Sequence, residues 1–186
     1  MERIGNLEKW FISKSAAQDA VSGPASGPWD ERTSALVEAF QMGALARDVQ
    51  DHRATNKCSS ALADLIAAVR STRDLPNFVV YRGLLLKSPP EVSTAFRERS
   101  LSSWTIFPSI ALRLALAQGQ GLVTILRYRL SQTDAAFYID DWEYEVLRPP
   151  YVSQVFRIAK GNVNFMGHSC DVVVADLEAL EGKDEQ

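Results

Sequence analysis

At Pro76 the apolar pattern of this 186-residue chain changes period. Before it, apolar residues recur at helical spacing. Ile4, Leu7, Trp10 and Phe11 form one stripe, Leu36, Val37, Phe40, Met42 and Leu45 a second, and Leu62, Leu65, Ile66 and Val69 a third. Ser22–Pro28 is a breaker cluster rich in Gly and Pro, and Asp30 or Thr33 is placed to cap the helix that follows. After Pro76 the apolar runs are short and rich in β-branched and aromatic residues: Phe78–Leu84, Leu101–Ile106, Leu122–Leu130, Glu143–Arg148, Val152–Ala159 and Asp171–Leu177. One helical stretch, Pro108–Gln118, interrupts them. Helices first and strands later predict an α+β fold. The expected division is a single domain with a helical lobe over 1–75, a β-sheet core over 76–178 and an acidic tail over 179–186.

Composition narrows the function classes. Apolar residues make up 46% and charged residues 23%, which excludes disorder of the whole chain. Cys58 and Cys170 form no CxxC pair, and His52 and His168 stand far apart, so neither a metal site nor a disulfide framework is expected. Met1–Lys14 interleaves charges with its apolar residues and no run of 18 apolar residues exists, so neither a Sec leader nor a membrane span is expected, and the expected location is cytoplasmic. The formal charge is −3 and the pI about 5.4, which disfavours a nucleic-acid partner. The acid excess is local: residues 176–186 carry −4, whereas 80–160 hold ten basic and seven acidic residues. A mildly basic middle is compatible with an anionic ligand.

Four features in that middle can carry chemistry. Arg82, in Tyr81-Arg82-Gly83, ends an apolar strand, where a guanidinium needs a partner: a structural carboxylate or a bound pyrophosphate. Gly83 removes a side chain where a ligand can approach the backbone. In Ser102-Ser103-Trp104-Thr105, strand alternation puts Ser103 and Thr105 on one face and Ser102 and Trp104 on the other. Two hydroxyls on one face can hold a carboxylate; they also suit a polar strand edge with Trp104 in the core. In Glu143-Tyr144-Glu145, a strand places both carboxylates on one face, a costly arrangement that a cationic ligand or a solvated edge would each relieve. The loop Asp134–Trp142 carries Phe137, Tyr138 and Trp142, which either cap a site or fold back onto the core.

Taken in order, Tyr81-Arg82-Gly83, Ser103-Trp104-Thr105 and Glu143-Tyr144-Glu145 resemble the arginine-serine-glutamate class of mono-ADP-ribosyltransferases. Val146-Leu147-Arg148-Pro149-Pro150 is similar to the turn that follows the last glutamate in that class, and the middle motif reads Ser-Trp-Thr where the class has Ser-Thr-Ser. The resemblance spans about Asn77–Leu177. It implies a helical lobe followed by two packed, mostly antiparallel sheets with NAD in the cleft between them. It further implies Arg82 on the NAD phosphates, the Gly83 backbone on the nicotinamide amide, and Ser103 and Thr105 beside Glu145. Glu145 would be the catalytic carboxylate, held by Ser103. Glu143 would face an arginine acceptor, with Tyr138 and Trp142 in the substrate-recognising loop, and no metal would be needed. The implied reaction transfers ADP-ribose from NAD to an arginine of a target protein, as in bacterial effectors delivered into a host cell or phage enzymes that modify one. A NAD glycohydrolase and an inactive binding module on the same fold are the alternatives.

Overall fold

In the computed structural model, residues 30–139, 144–165 and 167–180 are described. Asp30 begins helix α1 (Glu31–Gln41) by accepting a hydrogen bond from the Thr33 amide at 2.6 Å. The stripe from Leu36 to Leu45 does not continue as one helix. Gly43, at φ 77°, lets the chain turn there, and Leu45 precedes α2 (Ala46–Thr55). Asn56 ends α2 in the left-handed conformation, at φ 60°. The Ser59 hydroxyl then caps α3 (Ser60–Arg70), accepting from the Leu62 amide at 3.2 Å. Leu62, Leu65, Ile66 and Val69 of α3 are buried against Leu101, Phe137 and Leu147, which docks the helical lobe on the sheet.

The strands are β1 (Val79–Leu86), β2 (Ala95–Glu98), β3 (Ser102–Thr105), β4 (Leu122–Arg129), β5 (Phe137–Ile139), β6 (Glu145–Arg148), β7 (Tyr151–Phe165) and β8 (His168–Ala179). Helix α4 (Pro108–Ala117) separates β3 from β4. The hydrogen-bonded order is β2-β7-β8-β4-β1-β3-β6-β5, antiparallel except for the parallel pair β4·β8. Strands β2 and β5 lie outside the runs predicted from periodicity, and β7 and β8 extend beyond them.

One pairing gives this sheet its shape. β1 aligns with β4 over eight residues but with β3 only at Tyr81↔Thr105. The sheet therefore splays between β1 and β3 into two wings, the first β2-β7-β8-β4-β1 and the second β3-β6-β5. Val80, Leu126, Tyr128, Val155 and Leu177 of the first pack in one buried cluster with Trp104, Val146 and Tyr138 of the second. The wings thus face each other across a core, as the α+β expectation of two packed sheets requires. On the opposite side of the first wing, α4 buries Ala111, Leu112 and Ala115 against Tyr81, Val123, Ile125, Val172 and Val174.

Candidate functional site

The splay between β1 and β3 opens a cleft of about 620 Å³, within the ~300–1,000 Å³ of small-molecule sites. Tyr81, Arg82, Gly83 and Leu84 line it from β1 and Ser103, Trp104 and Thr105 from β3. Leu114 and Gln118 line it from α4 and its cap, and Val49, Gln50 and Arg53 from α2. Four sequence-predicted residues, Arg82, Gly83, Ser103 and Thr105, thus share one cavity.

Glu145 is buried and does not line the cleft; strand register makes it a neighbour of the residues that do. It opens β6 directly opposite Thr105, which is opposite Tyr81 on β1. Cross-strand partners share a face. The same row continues through Arg127 and Asp176 to Arg157, so Glu145 stands in line with a charged cluster. There the Asp176 carboxylate, nearly buried, accepts from Arg127 Nη2 at 2.7 Å and from the Arg157 guanidinium. Tyr81, between cluster and cleft, has its phenol pushed up to about 12, chiefly by burial. Ser103 pairs with Leu147, two residues along the strand from Glu145's partner. By register, Thr105 is the hydroxyl directly across from Glu145, and Ser103 is a diagonal neighbour.

The start of β6 differs from the sequence expectation. Tyr144 sits in the left-handed region at φ 49°, a strained conformation for a bulky residue. It is held there by Phe107, whose ring meets its own edge-on at 4.6 Å, and by the Ile106 amide, which donates to its carbonyl at 3.4 Å. The strand therefore begins at Glu145, and the i, i+2 alternation does not extend back through Tyr144. Glu143 and Trp142 lie outside the described residues. Tyr138 is not on an exposed loop: it belongs to β5, is 2% exposed and packs in the core between the wings. The reading in which the aromatics of 134–142 fold back onto the core holds for Phe137 and Tyr138.

Gly83 has a structural reason beyond ligand approach. A Cβ there would lie 1.8 Å from the Ala111 carbonyl oxygen, so only glycine lets α4 rest on β1. The Gly83 carbonyl also accepts from the Gln118 carboxamide at 3.2 Å. Thr105 ties the helix start to the cleft, its hydroxyl accepting from the Phe107 amide at 3.2 Å.

Arg82 is paired. Its guanidinium and that of Arg53 both donate to the Glu98 carboxylate, Arg53 through Nε at 2.8 Å. Of the two partners foreseen for Arg82, the structure supplies the structural carboxylate. Arg53, Glu98 and Gln118 escaped the sequence reading. Glu98 alone left a trace, as an acid between Arg97 and Arg99 near two apolar runs. A larger cavity of about 1230 Å³, lined by His52, Arg70, Arg97, Arg99 and Glu98 itself among others, holds none of the predicted site residues. Among the described residues, no group of three or more His, Cys, Asp and Glu could hold a metal ion, and no helix is long and apolar enough to cross a membrane.

No protein-family model matches the sequence, and no curated protein matches it. Solved structures do match. The enzymatic component C2-I of the C2 toxin from Clostridium botulinum aligns at TM-score 0.64 and 14% identity, over 97% of this chain and 48% of that one. C3stau2 from S. aureus, solved with NAD, aligns at TM-score 0.59 and 14% identity, over 97% and 99%. The ADP-ribosyltransferase Vis, solved with agmatine, aligns at TM-score 0.53 and 18% identity, over 92% and 83%. The chain spans about half the length of C2-I. At these identities the likeness concerns the fold, and the fold is that of the ADP-ribosyltransferases.

Proposed function

We propose that the protein is a mono-ADP-ribosyltransferase that transfers ADP-ribose from NAD to an arginine of a target protein. The reading rests on one observation: Arg82, Gly83, Ser103 and Thr105 line one cleft, with Glu145 across from Thr105 on the next strand. It is supported by the shared fold and by the NAD and agmatine bound to two of the similar structures, agmatine being a small guanidine.

The chain's groups suit NAD chemically. Arg82 contributes a guanidinium for the diphosphate, and Gly83 a backbone carbonyl for the nicotinamide amide in place of the Gln118 carboxamide that now meets it. Glu145 accepts from the 2′-hydroxyl of the nicotinamide ribose and stabilises the positive charge that grows as the glycosidic bond breaks. Ser103 and Thr105 hold that carboxylate in place. Nicotinamide leaves with the bonding electron pair and becomes neutral. A nitrogen of the acceptor guanidinium forms the new bond to the ribose carbon, and Glu143 takes the proton it sheds.

The test is incubation of wild type, Glu145→Gln and Glu143→Gln with labelled NAD, agmatine and a cell lysate, followed by mass spectrometry of labelled sites. Wild type should label arginine and agmatine. Glu145→Gln should lower both transfer and NAD hydrolysis by about 100-fold or more. Glu143→Gln should lose transfer and keep much of the hydrolysis. Nicotinamide release without a labelled acceptor would convert the assignment to a NAD glycohydrolase. A folded wild type that neither binds nor cleaves NAD would make the chain a binding module.

A further inference from the structure

Glu98 ends the edge strand β2, yet its side chain is only 8% exposed. A carboxylate so far from water is costly unless paired. It is paired twice, by residues distant in sequence: one oxygen accepts from Arg53 Nε of α2 at 2.8 Å, the other from Arg82 Nη1 of β1. Arg53 also donates from Nη2 to the Leu101 carbonyl at 3.0 Å, and the neighbouring His52 Nδ1 lies 3.0 Å from the Ser100 hydroxyl. Helix α2 is thereby pinned to the 98–101 turn. Both arginines line the 620 Å³ cleft, Arg82 with 14% and Arg53 with 37% of its side chain exposed.

Two guanidinium groups on one wall repel each other, and one carboxylate between them removes that repulsion while leaving a net positive charge. The pairing is also sparing of donors. Each guanidinium carries five N–H groups; Glu98 and Leu101 engage one nitrogen of Arg82 and two of Arg53, and the buried Tyr151 hydroxyl also stands beside Arg82. We propose that Glu98 is a positioning residue: its carboxylate sets Arg53 and Arg82 as a single anion-receiving wall that joins the helical lobe to the sheet and takes a diphosphate. As applied to NAD, this rests on the function proposed above; as applied to the diphosphate group, it stands on the triad alone.

The variant Glu98→Gln keeps the shape of the side chain but replaces one acceptor oxygen with a donor, so one guanidinium is left facing an N–H. Titration calorimetry with inorganic pyrophosphate should show roughly tenfold weaker binding, the scale of one charge-assisted hydrogen bond. KM for NAD should rise by a similar factor while kcat changes less than about threefold, because Glu145 is untouched. In an Arg53→Gln background, Glu98→Gln should add less than about a twofold further loss, since its remaining oxygen still serves Arg82. Simple electrostatics predicts the reverse, because removing a carboxylate from a cationic wall should tighten anion binding. Unchanged or tighter pyrophosphate binding therefore overturns the proposal, as does an equal loss in kcat. If Glu98→Gln does not fold, Arg53→Gln alone is titrated, and unchanged pyrophosphate affinity overturns it. A wild type that binds pyrophosphate and never cleaves NAD overturns the proposed function and leaves the wall standing; one that binds no pyrophosphate overturns the wall.

Discussion

Replacing Gly83 by alanine tests how tightly the cleft is built. The added methyl would sit 1.8 Å from the Ala111 carbonyl oxygen, 2.8 Å from its carbon and 2.9 Å from the Ala115 Cβ. A Cβ does not approach a heavy atom within 3.0 Å, so the carbonyl must retreat by about 1.2 Å at least. That atom belongs to the helix backbone, and no rotamer change relieves it; α4 must move away from β1. Overpacking of this kind costs ~1–3 kcal/mol, and a backbone clash belongs at the upper end. At ~2–4 °C per kcal/mol for a chain of this size, the melting temperature should fall by about 6–12 °C. Truncating Ala115 to glycine in the same protein should not restore it, because the hard contact is the Ala111 carbonyl. Leu114 and Gln118 line the cleft beside Gly83, so displacement of α4 should raise KM for NAD in the folded variant as well. Urea unfolding followed by circular dichroism supplies the free energy. A Gly83→Ala protein within ~0.5 kcal/mol of wild type would show that α4 does not rest on β1 at this position, because a contact at 1.8 Å cannot be absorbed for so little.

Two further outcomes are expected. Arg148 is 3% exposed, with its guanidinium 4.0 Å from the Tyr128 ring, 4.2 Å from the Tyr151 ring and 5.2 Å from the Trp104 ring and its Nη2 3.9 Å from an Asp134 carboxylate oxygen, while its Nε and Nη1 have no hydrogen-bond partner among the described residues. Arg148→Met loses three cation–π contacts of ~2 kcal/mol each and the Asp134 pairing but relieves two unpaired donors of ~1–3 kcal/mol each, so urea unfolding should register a net loss of up to ~4 kcal/mol; a variant more stable than wild type would show that the unpaired donors outweigh the contacts. Tyr81, Tyr128 and Tyr151 have their phenols pushed up to about 12, chiefly by burial. Their folded values lie above the unfolded value near 10, so the stability they contribute is complete below pH 10 and is lost as pH rises through 12. In a Tyr144→Phe protein, which removes the exposed tyrosine, tyrosinate absorbance should accordingly appear together with unfolding in an alkaline titration, and ionisation near pH 10 in the folded protein would contradict the burial of these rings.

Local signals made much of the fold legible. The change of period at Pro76 reflects side-chain geometry along single elements, and the strands and helices it marks within the described residues are present, whereas the stripe from Ile4 to Phe11 lies outside them. Asp30 and Ser59 cap helices because short polar side chains reach the next turn's amides wherever they occur. Tyr138 shows where local signals left two alternatives open. Aromatic and acidic residues between strands look alike whether they cap a site or fill a core, and only the packing of the two wings placed its ring inside. Tyr144 shows where the reading failed, because the phenyl ring of Phe107 and the Ile106 amide, not the local sequence, hold its left-handed backbone.

By itself, the sequence determined the α+β class, the order of elements and the identity of Arg82, Ser103, Thr105 and Glu145 as residues worth watching. These follow from periodicity, propensity and motif order, which act along the chain. Tertiary structure alone decided that β1 and β3 meet at one pair and then part, which creates the cleft. It alone decided that Gly83 serves helix packing and that Glu98 answers Arg82 across 16 residues and Arg53 across 45. Pairings of that kind depend on where distant segments come to lie, and no local preference encodes them.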